Sequence, residues 1–538
     1  MNQVFKRNQI SLLIAAVLAT GAAPVAMADD TQIQQMQDEI HALEQRLEQL
    51  QTQQSQQSQQ DVQVQQQVQQ LQAGTEPRWA HRVAPTDDNT IHTGSISIKL
   101  GGFLANETAY RSVDLQSSIN SPYLHIPYAP PNTTNFISGT NNVYGTPVIN
   151  NGIGSYYNQS EFRDTAQQSR FSLLAQGNAN PNTLISGYYE MDFLGAANTA
   201  NSNESNSYNL RIRNIYSTID WLDSGWHMLA GQSWSLATLN THGITPRNEE
   251  IPLTIDAQYV PGFVWARQPQ LRITKDWDQK WWVAVSIENP QTSNVGGANA
   301  GVNEYANAPI GGGLYDYTTN YSVNKYPDVI AKLAAETDFG HFEVLGMMRN
   351  FQSVYALANN TAGNQQNEWA GSMGVGAVIP VIPKQLEVNL NALYGDGVGR
   401  YGTSGLPDAS YSSSGALNPL TGGSALLGIV WHTNPKLDLY FNAGQDFVDS
   451  STNTSANGTV YGYGNNVSNA NQFSPYTKSV TQETLGMWWS AYKGAYGVAK
   501  LGLQYSHTTL SSFNVSSTIG SLSTSDNIAL TSMRYYPF

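Results

Sequence analysis

From residue 94 to the C-terminus, apolar and polar side chains alternate. Ile96, Ile98, Leu100 and Leu104 fall on one side, and Ser97, Lys99, Gly101 and Phe103 on the other. The pattern returns at Trp281, Val283, Val285 and Ile287, at Leu386, Val388, Leu390, Ala392 and Tyr394, and at Leu437, Leu439, Phe441 and Ala443. A period of two is the signature of a β-strand. It predicts strands at 95–107, 168–177, 183–193, 208–219, 226–234, 262–275, 280–289 and 327–337. Further strands are expected at 341–350, 369–379, 385–395, 422–432, 436–446, 482–491, 496–508 and 526–538. The third and sixth carry the weakest alternation. The pattern gives about sixteen strands and leaves eighteen open.

The connections alternate in length. Short turns fall at Ala179–Pro181, Asp220–Gly225, Asp338–Gly340 and Pro380–Lys384. Long polar stretches fall at 108–167, 235–261, 290–326, 396–421 and 447–481. A compact soluble domain rarely carries so many long loops. The first is the longest and the natural candidate to fold inward, with a later loop as the alternative.

The N-terminal part follows a different period. Lys6 and Arg7, the apolar run Leu12–Ala19 and the small-residue pattern Ala26-Met27-Ala28 predict a signal peptide over 1–28. An uncleaved anchor is the alternative, although the run is short for a span. Between 29 and 73, Ile33, Met36, Ile40, Leu43, Leu47 and Leu50 follow a heptad seam, which resumes at Val64, Val68 and Leu71 after a glutamine-rich middle. This predicts an α-helical coiled coil, with a disordered spacer as the alternative. A linker over 74–93 opens at Gly74-Thr-Glu-Pro77.

Composition changes the solvent expected around those strands. Only 12% of the 538 residues are charged, the formal net charge is -14 and there is no Cys. Neither a disulfide framework nor thiolate metal ligation is possible. No run of about 18 apolar residues follows the leader, which argues against a helical membrane protein. Aromatics such as Trp488, Trp489, Tyr505, Tyr535 and Tyr536 sit near strand ends, as in interfacial girdles. The expected fold is a transmembrane β-barrel, all-β and antiparallel over 94–538, preceded by the coiled coil. The run Asn527–Phe538 reads as a terminal strand whose Phe538 would engage a barrel-assembly machinery.

The chemistry expected is sparse. The nine His are scattered, and no phosphate loop or nucleophile elbow is present. Asp438 and Asp446 bracket alternating apolar residues and read as strand ends rather than metal ligands. Neither enzyme activity nor a cofactor or metal is expected, and the acidic balance argues against nucleic acid.

The order of these features resembles the DcaP-like trimeric outer-membrane porins of Gram-negative bacteria. The matching stretches are Gly94–Phe103, Ser169–Phe171, Leu210–Arg213, Gly231–Ser235 and Arg267–Arg272, together with the leader and the heptads. The resemblance implies sixteen strands, a homotrimer and a periplasmic coiled coil. It also implies passive diffusion favouring anions such as dicarboxylates.

Alternation nominates groups that would select solutes at the narrow point: Lys99, Arg170, Arg211, Arg213, Arg267, Arg272 and Arg349. Arginine exposed to lipid would cost roughly 2–4 kcal/mol near the midplane, so a lumen position is favoured. The competing readings are structural pairing with Glu190, Asp192, Glu288, Glu336 or Glu343, and a cation preference. Expected partners are small solutes, outer-membrane lipid and lipopolysaccharide, with periplasmic cell-wall components as further candidates. The functional alternatives are a plugged barrel acting as a cell-wall tether, and a soluble secreted β protein.

Overall fold

The computed structural model describes residues 90–128, 159–195, 209–295, 302–305, 322–357, 364–412, 416–454, 458, 460–465, 475–515 and 520–538. The leader, the coiled-coil seam and the linker up to residue 89 lie outside the described residues.

Sixteen strands form the wall. The first eight are β1 Ile96–Arg111, β2 Arg170–Asn180, β3 Thr183–Gly195, β4 Asn209–Trp221, β5 Trp226–Trp234, β6 Arg267–Trp277, β7 Trp281–Glu288 and β8 Asp328–Thr337. The rest are β9 Gly340–Leu357, β10 Asn364–Ile382, β11 Leu386–Asp396, β12 Thr421–Asn434, β13 Leu437–Val448, β14 Thr477–Gly494, β15 Gly497–Ser512 and β16 Ser523–Tyr536. Each pairs antiparallel with its chain neighbours. The last joins the first: Leu104–Arg111 of β1 pairs with Ile528–Tyr535 of β16. The other half of β1, Ile96–Phe103, pairs with β2. The sheet is therefore closed and has no free edge.

Each predicted segment corresponds to one of these strands, in order. Several boundaries shift: the ninth strand runs on to Leu357, the tenth starts at Asn364 and the fourteenth at Thr477. The sixth strand starts at Arg267 rather than 262, because 262–266 belongs to an inward loop. The end of the linker is also structured: Thr90–Thr93 folds back on Ile96–Lys99 through Gly94, whose φ is 62°.

Polarity is inverted relative to a soluble core. Ile273, Val285, Leu333, Val344, Val375 and Leu390 point outward and are exposed. Trp221, Trp226, Trp277, Trp281, Trp431 and Trp489 ring the short-turn end. Glu107, Arg111, Asp192, Arg272, Glu288, Lys332 and Arg349 are buried on the inside. An apolar wall with an aromatic girdle around a polar lumen is the arrangement that lipid demands. The chain spans a membrane as a β-barrel.

The loop 235–266, between β5 and β6, folds inward, and the described part of the first long loop packs inside with it, Ile119 joining Ile255, Val430 and Tyr440. Wall groups hold the backbone of 235–266. Glu288 accepts the Leu236 N–H at 2.8 Å, Glu336 the Gly243 N–H at 2.6 Å, and Asp446 the Gly262 N–H at 2.8 Å. On the far side, Gln504 accepts the Ile255 N–H at 2.5 Å, and Trp488 donates to the Leu253 carbonyl at 2.7 Å. The described part of the first loop packs beneath it, with Ser121 bonded to Asp256.

One anchor yields a stability prediction. Lys332 is buried and donates to the Thr238 carbonyl at 2.7 Å and to Glu343 at 2.7 Å. Lys332→Met takes the ammonium away from the buried Glu343 carboxylate, leaving it the Asn240 N–H and His341, and breaking such a buried pair costs about 3–5 kcal/mol. Urea unfolding in detergent micelles should show that loss, and an unchanged midpoint would refute it.

Candidate functional site

The inward loop fills one side of the lumen with apolar contacts. Leu236, Ala237, Ile244 and Val264 of the loop pack on Trp282 and Ala284 of β7, Ile330 of β8, Leu345 of β9 and Leu393 of β11. Ile255 packs with Val430 of β12, Tyr440 of β13, Trp488 of β14 and Ile528 of β16. Two glycines permit this close approach. A Cβ at Gly444 would strike the Pro261 carbonyl, and one at Gly262 the Ala425 carbonyl. Among the described residues, β2 and β4 contribute nothing to these apolar clusters, and β3 only Leu194. The lumen beside β2–β4 is left polar. Arg247 of the loop reaches Tyr216 of β4 there, whereas Glu250 turns to the other wall, where Asn389 of β11 donates to it at 2.6 Å.

This quarter holds a dense charge array. Arg211 grips Asp192 with two hydrogen bonds, at 2.9 and 2.7 Å. Arg213 bonds Glu190 at 2.5 Å, Asp192 at 3.1 Å and the Tyr259 hydroxyl at 3.1 Å. Both carboxylates lie on β3 and both arginines on β4, and the strand pairing sets Asp192 opposite Arg211. Arg170 of β2 lies 3.9 Å from Glu190 and over the Phe103 ring. Arg267 stacks on Trp234 with its guanidinium 4.8 Å from the ring centre. The Nε of Arg170 and the Nη1 of Arg267 are buried without a hydrogen-bond partner among the described residues.

Four guanidiniums thus surround two carboxylates, and the loop supplies a fifth. Arg247 has φ 69°, lies over the Tyr188 ring at 5.5 Å and donates to the Tyr216 hydroxyl at 3.1 Å. It was not among the sequence candidates, because alternation nominates only strand residues. Its signal was local: a lone arginine in the Pro246–Glu250 stretch of a long loop.

The loop's own titrating groups report the local potential. Burial alone would raise the Tyr259 phenol, but Arg213, Arg170 and Arg267 outweigh it and bring the pKa down to about 8. Glu250 moves the other way. Burial, with repulsion from Glu387, pushes it up to about 8. Glu249 is also raised, by burial above all. Glu249, close to Arg272 and Arg247, is thus held toward its neutral form, while Glu250 lies against β11 and does not bear on the arginine cluster.

The remaining nominated residues divide. Arg272 is buried and bonds Gln270 at 3.0 Å and the Trp234 carbonyl at 2.7 Å. Arg349 is buried between Asp328 at 3.1 Å and Asp408 at 2.8 Å, and also reaches the Gly397 and Gln291 carbonyls. Arg349 ties the Gln291, Gly397 and Asp408 segments to the wall, Arg272 clamps two neighbouring wall strands, and both side chains are buried. Lys99 is exposed, opposite Leu174, toward the short-turn end. Arg170, Arg211, Arg213 and Arg267 are the ones brought together. Of the expected acidic partners, Glu190 and Asp192 do pair with arginine. Glu336 and Glu343 pair with histidine and lysine instead, and Glu288 bonds neutral groups. Phe538 follows the end of β16 and is half exposed.

No protein-family model matches the sequence, and no curated protein matches it significantly. Among solved structures, the outer membrane channel DcaP of Acinetobacter baumannii superposes with a TM-score of 0.54 at 16% identity, covering 83% of this chain and 98% of that one. The chain has the fold of that channel, in keeping with the resemblance read from the sequence. OmpT of Vibrio cholerae in its trimer form follows with a TM-score of 0.41 and 9% identity, over 82% and 99% of the two chains. An anion-selective porin from Comamonas acidovorans gives 0.41 and 9%, over 82% and 99%.

Proposed function

We propose that this chain is a passive diffusion channel of the bacterial outer membrane, with a preference for small anions such as dicarboxylates. The supporting observation is the polar quarter beside β2–β4. Arg170, Arg211, Arg213, Arg267 and Arg247 gather around Glu190 and Asp192 there, and buried guanidinium nitrogens of Arg170 and Arg267 lack partners among the described residues. A carboxylate is a two-pronged acceptor that matches a guanidinium. Two such groups in one solute would engage two arginines at once. No cofactor or catalysis is involved in this reading, and solute moves down its gradient.

The test is the reversal potential across a planar bilayer under a salt gradient. Anion preference is expected, and Arg211→Ala with Arg213→Ala should weaken it. A cation preference that these replacements leave unchanged would overturn the proposal. The pH dependence carries a further prediction. The Tyr259 phenol, bonded to Arg213, is protonated below about pH 8 and ionises above it. Anion preference should therefore fall between pH 7 and 9, and Tyr259→Phe should remove most of that fall.

The assembly proposed is a homotrimer, with the leader removed and the coiled coil in the periplasm. Part of the outer wall supports a subunit contact. Asn106 and Thr108 of β1, Asp164, His507 of β15, and Asn527 and Thr531 of β16 occupy outward positions in one sector. Thr108 bonds Thr531 at 2.6 Å, and His507 bonds Asn527 at 2.9 Å. Polar groups of this kind favour a protein neighbour over lipid. The rest of the wall would meet lipid and lipopolysaccharide, and Phe538 would serve the barrel-assembly machinery.

One observation favours a second reading. The 235–266 loop packs against much of the wall, so a plugged barrel tethering the membrane to cell-wall polymer is the competing function. Near-zero conductance together with retention on cell-wall sacculi would select it.

A further inference from the structure

A large cavity lies on the outside of the barrel, lined by outward residues of β9 through β14. It is a cleft of about 770 Å³, within the range of roughly 300–1,000 Å³ typical of ligand sites. Strand register draws its course. Outward positions Phe342, Ala377, Leu390, Leu427, Ala443 and Glu483 are successive partners on β9 through β14. The row begins two residues from Gly340, at the short-turn end of β9. It ends eleven residues from Gly494, well up β14. The trough therefore climbs the wall obliquely, and Ala392 and Ala425 deepen its floor.

Glu483 closes the upper end. It is exposed on the outward face, and it makes no hydrogen bond or ion pair among the described residues. Its cross-strand partner His507 does not serve it, since that ring bonds Asn527 and Thr509. Gln445 and Thr481 beside it bond each other at 2.8 Å. A carboxylate at the edge of a low-dielectric belt calls for a cation. Exposed lysines lie elsewhere: Lys384, Lys436 and Lys493 adjoin the short turns, and Lys478 the loop end. Arg163 is already held by Glu161 at 3.1 Å.

We infer that this trough is a binding site for a bilayer lipid with an ammonium headgroup. One acyl chain lies over the alanine floor, and the ammonium meets Glu483. The trough is continuous, apolar and on the outward face, and its one charge without a partner among the described residues has the sign that such a head complements. The inference rests on the chain spanning a membrane, and not on the lumen conducting.

The test is native mass spectrometry of the delipidated full-length protein. Dimyristoyl phosphatidylethanolamine is compared with the phosphatidylglycerol and phosphatidylcholine of equal chain length. The ethanolamine lipid should be retained about threefold over the glycerol lipid, the size of one partly exposed ion pair. Glu483→Gln should erase that difference, and Ala392→Phe with Ala425→Phe should reduce retention of all three. Heat-modifiable migration on a denaturing gel verifies that each variant still forms the barrel. Equal retention of the three lipids by the wild type would overturn the inference. So would retention that ignores the filled trough. Cross-linking of Glu483→Cys to a second copy would assign the trough to a subunit contact and also overturn it. Conductance measured on the same samples separates a failure here from a failure of the channel reading.

Discussion

Replacing Arg170 and Arg247 together by glutamate is expected to turn an anion-preferring lumen into a cation-preferring one. Arg170 stands on the wall beside Glu190, and Arg247 on the loop over Tyr188. The exchange removes two positive charges and adds two negative ones where the open lumen meets the loop. Two unit charges about 4 Å apart interact by about 1 kcal/mol even at the dielectric of water. A change of this size should lower the anion-to-cation permeability ratio by about tenfold. Neither residue is a buried strut, so the barrel should still form. Reversal potentials of the double variant and the wild type in the same salt gradient decide. An unchanged ratio would remove these residues from the selectivity argument.

Substituting Gly444 by valine should open the lumen. The Pro261 carbonyl of the inward loop rests directly on Gly444, and a Cβ there would also come 3.0 Å from the Leu426 side chain. The wall strand cannot yield without breaking its ladder, so the loop must lift. Forcing extra atoms into a packed contact costs about 1–3 kcal/mol. We expect a lower unfolding temperature in detergent and roughly twofold larger single-channel conductance with more noise, as expected of a widened constriction. A variant with normal conductance and normal stability would mean that the loop does not set the channel width.

The wall could be read from the sequence because the pleat writes itself into the residues. Trp281, Val283, Val285 and Ile287 must meet lipid, and their neighbours Trp282, Ala284, Ser286 and Glu288 must face inward. That two-state requirement repeats on every strand, so even the weakly alternating β3 and β6 were placed. Loops carry no such period. The 235–266 loop resembles its neighbours in proline, asparagine and glycine. What marks it is a scatter of Leu236, Ile244, Ile251, Leu253, Ile255 and Phe263, which needs apolar partners across the lumen. Length favoured the first loop, whose described Leu115, Ile119, Tyr123 and Ile126 are indeed buried, but length gave no sign of 235–266 beside it.

The site was half legible for the same reason. Alternation correctly turned Arg211, Arg213, Arg272 and Arg349 inward. It could not separate arginines that line free space from those that clamp loops or strands, because that depends on residues far along the chain. Arg349 is held by Asp408, and Arg272 by the Trp234 carbonyl. Arg267 and Arg272 are five apart, which places them on opposite faces of a regular strand. Arg267 enters the cluster only because it sits at the start of β6, turned over Trp234.

Central to this account is an open, positively charged passage between the inward loop and strands β2–β4. The most direct test is single-channel recording of the purified oligomer in a planar bilayer under a salt gradient. Discrete conductance steps with a reversal potential of anion sign are the predicted result. A bilayer that stays silent with correctly folded protein inserted, or steps that reverse with cation sign, would contradict it.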